Sequence, residues 1–333
     1  MLRITYALLM ITLSWSTANA SSIVDTAFVA AAVQRGALVW DVRDETNYRR
    51  GHIAGAVNIG DALQALRNPN TEDFIETARI EKLLGDAGID PSREIIVYGP
   101  RGHVGAYFSL FTLQYFGGKQ GTVYHDGIDG WRQAGHPLDT NGARRASVAL
   151  KLTPNSSIAA STADIIGKLR DTSVQIVDVR TRAEFAGNDI RAIRGGHIPG
   201  AVNIPYEENW TDPETASKLA RRQVADNTGM SLKPDDALKS LYAKLDPNKE
   251  TIVYCQSGVR AAETATVLAK LGFRNVKVYD SSWLGYAAKL EAPANNEVFF
   301  NVGALNGRIA GMQAKIDTLE KELAEARKAG AAR

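Results

Sequence analysis

The 333-residue sequence contains a single cysteine, Cys255. One thiol cannot close an intramolecular disulfide, nor supply the several thiolates of an iron–sulfur cluster or a cysteine-based zinc site, so no metal is expected. An excess of charge of either sign is also missing: 39 Lys and Arg stand against 37 Asp and Glu, a formal net of +2. Proteins that bind nucleic acid or anionic membrane surfaces usually carry a clear basic surplus, so neither partner is expected here. Only five histidines occur. A cysteine protease needs one as a base, and His52 and His197 stand in matching blocks that look structural. What is present is ordinary for a globular chain, with 44% hydrophobic and 23% charged residues. At roughly 150 residues per domain, the length suggests two domains.

The N-terminus begins with Arg3, runs through an apolar stretch from Ile4 to Trp15 and ends in Ala18-Asn19-Ala20. The apolar part is too short to span a bilayer, and the small-x-small ending reads as a cleavage site. Residues 1–20 are therefore expected to be a signal peptide cleaved near Ala20, and the mature protein to be exported. In a Gram-negative cell the destination would be the periplasm. An unpaired thiol in an oxidising compartment is a liability, so its presence calls for a chemical reason.

The mature chain repeats itself. Val39-Trp40-Asp41-Val42-Arg43 recurs as Ile176-Val177-Asp178-Val179-Arg180. Gly51-His52-Ile53-Ala54-Gly55-Ala56-Val57-Asn58-Ile59 recurs as Gly196-His197-Ile198-Pro199-Gly200-Ala201-Val202-Asn203-Ile204. Further on, Ile95-Ile96-Val97-Tyr98-Gly99 matches Thr251-Ile252-Val253-Tyr254-Cys255, and Val123-Tyr124 followed by Asp126 matches Val278-Tyr279-Asp280. Four blocks in the same order identify two copies of one domain. In each copy, short Val- and Ile-rich runs alternate with helical stretches, which predicts an α/β fold: two mainly parallel sheets flanked by helices. The expected organisation is a first copy over 21–140, a linker over 141–160, a second copy over 161–292 and a heptad helix over 298–330.

In that last segment the apolar residues Val302, Leu305, Ile309, Met312, Ile316, Leu319, Leu323 and Ala326 alternate spacings of three and four. Mostly β-branched residues at a, with mostly Leu or Met at d, favour a parallel dimer. Lys315 with Glu320, and Glu322 with Arg327, form g-to-e′ pairs of opposite sign. A homodimer through this helix is the expectation, with an amphipathic helix lying on the protein's own surface as the alternative.

After the Val-Tyr strand the two copies diverge. Copy one continues Gly99-Pro100-Arg101-Gly102-His103-Val104, and copy two continues Cys255-Gln256-Ser257-Gly258-Val259-Arg260. Both loops join the carboxyl end of a strand to a helix N-terminus, the edge of a parallel sheet where ligands bind. Free N–H groups and the positive helix end favour an anion there, including a thiolate at Cys255. Arg260 adds a positive charge. Copy one keeps the loop but lacks the nucleophile, so it is expected to be catalytically silent.

The DVR opening, the GHIPGAVNIP block, the Val-Tyr-Cys-x-x-Gly-x-Arg loop and the segment Tyr279-Asp280-Ser281-Ser282-Trp283 together resemble the tandem-domain rhodaneses, the thiosulfate and 3-mercaptopyruvate sulfurtransferases. The resemblance covers about residues 24–290. It implies that Cys255 takes sulfur from a small anionic donor as a persulfide and passes it to a thiophilic acceptor, cyanide or a thiol, with no cofactor. It also implies that Gln256, Ser257, Gly258, Val259 and Arg260 bind the substrate, with Arg260 orienting the donor's sulfonate. Departures limit the choice of donor. Thiosulfate-preferring relatives often have basic residues directly after the cysteine, where this chain has Gln256 and Ser257. Mercaptopyruvate-type loops agree at Ser257, Gly258 and Val259 but not at Gln256 or Arg260. Glu184 occupies a position where two-domain thiosulfate enzymes can have an arginine.

A phosphatase on the same fold needs five residues between Cys and Arg, and this loop has four, a ring suited to one sulfur atom. A non-catalytic persulfide carrier or sensor would share the chemistry of Cys255. Asp178, Arg180 and His197 recur in the copy without a nucleophile as Asp41, Arg43 and His52, which marks them as supporting scaffold. Trp283 is either a pocket wall or a core residue. Arg101 and His103 in the silent loop are candidates for the cleft between the domains.

Overall fold

The β-branched runs of each copy form the centre of a parallel sheet in the computed structural model, which describes residues 22–331. The signal peptide expected over 1–20 lies outside the described residues. The first sheet comprises β1 (Ile23–Val24), β2 (Leu38–Asp41), β3 (Val57–Asn58), β4 (Ile95–Tyr98) and β5 (Gly121–Tyr124), in the order β1-β5-β4-β2-β3. Every neighbouring pair is parallel. Copy two contributes β6 (Ala159–Ala160), β7 (Val174–Asp178), β8 (Arg194–His197), β9 (Val202–Asn203), β10 (Glu250–Tyr254), β11 (Asn275–Tyr279) and β12 (Asn295–Phe299). Its sheet order, β6-β11-β10-β7-β9, repeats the first strand for strand, again all parallel. Strands β4 and β10, which lead into the two divergent loops, are therefore the middle strands of their sheets.

The helices after those loops, Val104–Tyr115 and Val259–Lys270, pack against one another and join the copies. In the first, every residue from Gly105 to Leu113 is buried, as expected of a helix that is apolar on all sides. In the second, Ala261, Ala262, Ala265 and Ala269 keep the helix narrow enough for close approach. One apolar cluster, containing Trp40, Val97, Phe108, Val177, Val253 and Leu268, runs through both copies.

Two expected boundaries move. The linker ends earlier, because Ala159–Ala160 forms edge strand β6 of the second sheet. The heptad helix begins at Val302 rather than 298, because Asn295–Phe299 pairs antiparallel with β8 and belongs to the second copy. Buried Arg194 fastens this strap through the carbonyls of Ala287, Lys289 and Ala292 and the carboxylate of Glu297. The Val302–Ala331 helix has 30 residues, a rod about 45 Å long. Every residue from Val302 to Lys328 is exposed, so the helix does not lie on the protein's own surface. Among the described residues no helix is long and apolar enough to cross a membrane.

Candidate active site

Four residues, Cys255 to Gly258, turn the chain from β10 into the Val259–Lys270 helix. The turn needs glycine: Gly258 has φ +83°, and a Cβ there would lie 2.5 Å from Asp280 Oδ1 and 2.7 Å from the Asp280 carbonyl oxygen. Ser282, itself at φ +47°, closes the turn with its hydroxyl. Its Oγ accepts the N–H of Cys255 at 3.0 Å and of Gly258 at 2.9 Å, and donates to the Tyr279 carbonyl at 2.6 Å.

Each carbonyl of the loop has a donor of its own. The Cys255 oxygen accepts from the Trp283 N–H, the Gln256 oxygen from Leu284 and the Gly258 oxygen from Ala262. The Ser257 oxygen accepts from Arg67 Nη2 at 2.5 Å. Among the described residues, nothing accepts from the N–H groups of Gln256, Ser257, Val259 or Arg260. A peptide loop with engaged carbonyls and unclaimed N–H groups at a helix start suits an anion. Cys255 is 1% exposed, its side chain joined to the apolar cluster between the copies.

Arg260 is not a free charge. Its Nη1 and Nη2 donate to the two oxygens of Glu184 at 2.8 Å each, and its guanidinium lies 5.8 Å from the Tyr206 ring centroid. Burial would raise the Glu184 carboxyl, but Arg260 and the Thr181 N–H outweigh it and hold the group at about 2. Burial likewise opposes the charge on Arg260, and Glu184 together with Cys255 more than reverses that, raising its pKa. The guanidinium expected to orient a donor's sulfonate is therefore already paired with a carboxylate in this structure. Arg191, more than half exposed, approaches the same carboxylate at 3.4 Å. The Arg191 carbonyl accepts from Gln256 Nε2 at 2.8 Å. Glu207, beside this cluster, is raised to about 6, chiefly by burial.

Asp178 and Arg180 form a bidentate pair, 0% and 1% exposed, with Arg180 Nη2 also on the Gly196 carbonyl at 2.7 Å. Asp41 and Arg43 repeat it in copy one, with Gly51 as the carbonyl. His197 stacks on Phe185 at 3.6 Å and bonds its carbonyl, as His52 does with Tyr48 at 3.9 Å. Trp283 is buried, its indole N–H on the Arg194 carbonyl, with Arg180 4.7 Å from its ring centroid. It is a core residue that also holds the loop through its backbone.

The loop of copy one is built differently. Pro100 has no N–H, and the N–H groups of Arg101, Gly102 and His103 go to Asp129, the His125 carbonyl and the Pro100 carbonyl. The Arg101 side chain is taken up by Asp126 and Gln133. An insertion of copy two covers this loop: the Met230 carbonyl accepts from His125 Nε2, and Asn227 Nδ2 donates to Asp129. Arg101 and His103 thus do not reach Cys255. Arg67 does reach the Cys255 loop from copy one. Besides Ser257 it bonds Asp280 Oδ1 at 3.0 Å and lies over the Phe108 ring. No sequence motif marks Arg67, which falls outside the repeated blocks. Ser282 stood within a recognised block, but its role depends on its backbone conformation.

The Rhodanese-like domain profile matches residues 26–134 and 161–289. A Corynebacterium glutamicum protein named thiosulfate sulfurtransferase is 32% identical over 264 residues, 75% of this chain and 81% of its own. A Mycobacterium leprae protein, provisionally given the same name, is 33% identical over 262 residues, 75% of this chain and 88% of its own. Among solved structures, the anaerobic ergothioneine biosynthesis enzyme of Chlorobium limicola superposes with a TM-score of 0.70 at 21% identity, covering 83% of this chain and 70% of that one. That likeness concerns the fold alone.

Proposed function

The chain belongs to the rhodanese family and is a sulfurtransferase, and from this premise we propose that Cys255 carries sulfur as a persulfide, loaded from thiosulfate. The thiolate attacks the outer sulfur of thiosulfate. A new S–S bond forms, the bond to the sulfonate sulfur breaks, and sulfite leaves with the electron pair. Cyanide or a thiolate then attacks the outer persulfide sulfur and returns the Cys255 thiolate, a two-step covalent cycle with ping-pong kinetics. The observation that carries this reading is the placement of the single cysteine in a loop with engaged carbonyls and unclaimed N–H groups. Those N–H groups, rather than the paired Arg260, would meet the charge of thiolate and persulfide.

The names of the relatives favour thiosulfate over 3-mercaptopyruvate. Repeated turnover with thiosulfate and cyanide supports an enzyme, whereas one round of loading without turnover would identify a carrier. We also infer export. Intact mass tests both points: the native protein is expected to begin at Ser21 and to gain one sulfur atom on thiosulfate treatment. A chain retaining Met1 would overturn export, and no gain would overturn the persulfide.

A parallel homodimer through the Val302–Ala331 helix completes the reading. Its apolar positions from Val302 to Leu323 are exposed along one seam, a continuous patch unusual on a monomer. The charged pairs flanking the seam suit a parallel partner. Ending the chain after Asn301 keeps β12 in place. It is expected to turn a dimer into a monomer, measured by light scattering, with turnover within about twofold because the site lies in one chain. An unchanged number of chains per particle would dispose of the dimer.

A further inference from the structure

We propose that Arg67, supplied by the silent copy, is a positioning residue that sets the peptide orientation of the Cys255 loop. The proposal rests on the reading above only in taking Cys255 as the nucleophile. The Ser257–Gly258 peptide is fixed at both ends: its carbonyl accepts from Arg67 Nη2 and its N–H donates to Ser282 Oγ. The donors to the other loop carbonyls, Trp283, Leu284 and Ala262, are all backbone groups of copy two. Arg67 is the one donor that comes from copy one, and the one whose removal leaves the local backbone chemically intact.

Arg67 is itself firmly held. It is 6% exposed, paired with Asp280 and stacked 4.5 Å from the Phe108 ring centroid. Asp280 in turn abuts the left-handed turn at Gly258. Without the guanidinium, the Ser257 carbonyl has no partner at a buried position. An unpaired buried carbonyl is costly, and rotating this peptide relieves the cost while dragging the Gly258 N–H off Ser282. A rotated carbonyl would turn its negative end toward an anion in the loop. The silent copy is thereby part of the active site, through one side chain.

The thiol's own titration tests this. Because Cys255 is the single cysteine, the ultraviolet absorbance of the thiolate, read against a Cys255→Ser blank, follows this group alone. Arg67→Met is expected to move the midpoint up by about one pH unit, a tenfold loss of thiolate at a fixed pH below it. Arg67→Lys, which restores a cationic donor, is expected to recover most of the shift. Asp73→Ala serves as a control. It removes the acceptor of Ser281 Oγ across the same interface without touching a loop carbonyl, so it lowers Tm but leaves the midpoint in place. A midpoint unmoved in Arg67→Met, or moved equally in Asp73→Ala, overturns the proposal. If Arg67→Met does not fold, Arg67→Gln carries the same test. The titration involves no sulfur donor, so its failure is distinct from a failure of sulfur transfer.

Discussion

Replacing Cys255 with serine is expected to reduce turnover with thiosulfate and cyanide by at least about 10⁴-fold, in line with other single removals of a covalent nucleophile. The hydroxyl is nearly isosteric and the site is already sealed, so the fold is kept. The chemistry is not. A serine hydroxyl does not ionise near neutral pH, and it has no sulfur on which to build a persulfide. The variant should keep a single cooperative melt and show no mass gain with thiosulfate. The wild type supplies the comparison, since a gain there and none in the variant localises the transferred sulfur to one atom. Turnover surviving in Cys255→Ser would mean that the reaction runs elsewhere, and the loop would lose its role.

The duplication made the sheets legible because the blocks that repeat are the ones the fold needs twice. Val97-Tyr98 and Val253-Tyr254 end the middle strands of their sheets, so the position of the following loops could be read from the sequence alone. Strands β1 and β6 were not legible, since two residues carry no periodicity. Strand β12 was not legible either, and its last two residues were placed in the C-terminal helix. Its pairing with β8 depends on a partner about a hundred residues away.

At the site, the nucleophile and its loop were legible and its electrostatics were not. Arg260 stands on the page as a free cation until Glu184, 76 residues earlier, folds against it. Glu184 had drawn notice only as a substitution for arginine. The unclaimed N–H groups depend on which carbonyls find donors. Those donors are the N–H groups of Trp283 and Leu284 across the strand and of Ala262 in the following helix, and Arg67 at a separation of 190 residues. A side chain whose function lies in holding another residue's backbone leaves no spacing signature.

The paired repeats allow scaffold and catalysis to be separated by experiment. Arg180→Leu strips the counter-charge from Asp178 at a site that is 0% exposed, and removes a donor from the Gly196 carbonyl. Breaking a buried pair from one side costs about 3–5 kcal/mol, because the remaining charge keeps its desolvation penalty. In a domain of this size that lowers Tm by roughly 10 °C. Arg43→Leu removes the equivalent guanidinium in copy one and leaves Asp41 with the Tyr98 hydroxyl, so a loss of similar size is expected. If the pair is scaffold, the folded fraction of either variant, measured well below its melt, should turn over at close to the wild-type rate. Calorimetry and active-site-normalised kinetics check the two halves of this expectation. A folded Arg180→Leu protein with turnover lowered a hundredfold, beside a normal Arg43→Leu, would instead place Arg180 in the reaction. The symmetry of the two copies would then hide a division of labour at the strand ends as well as in the loops.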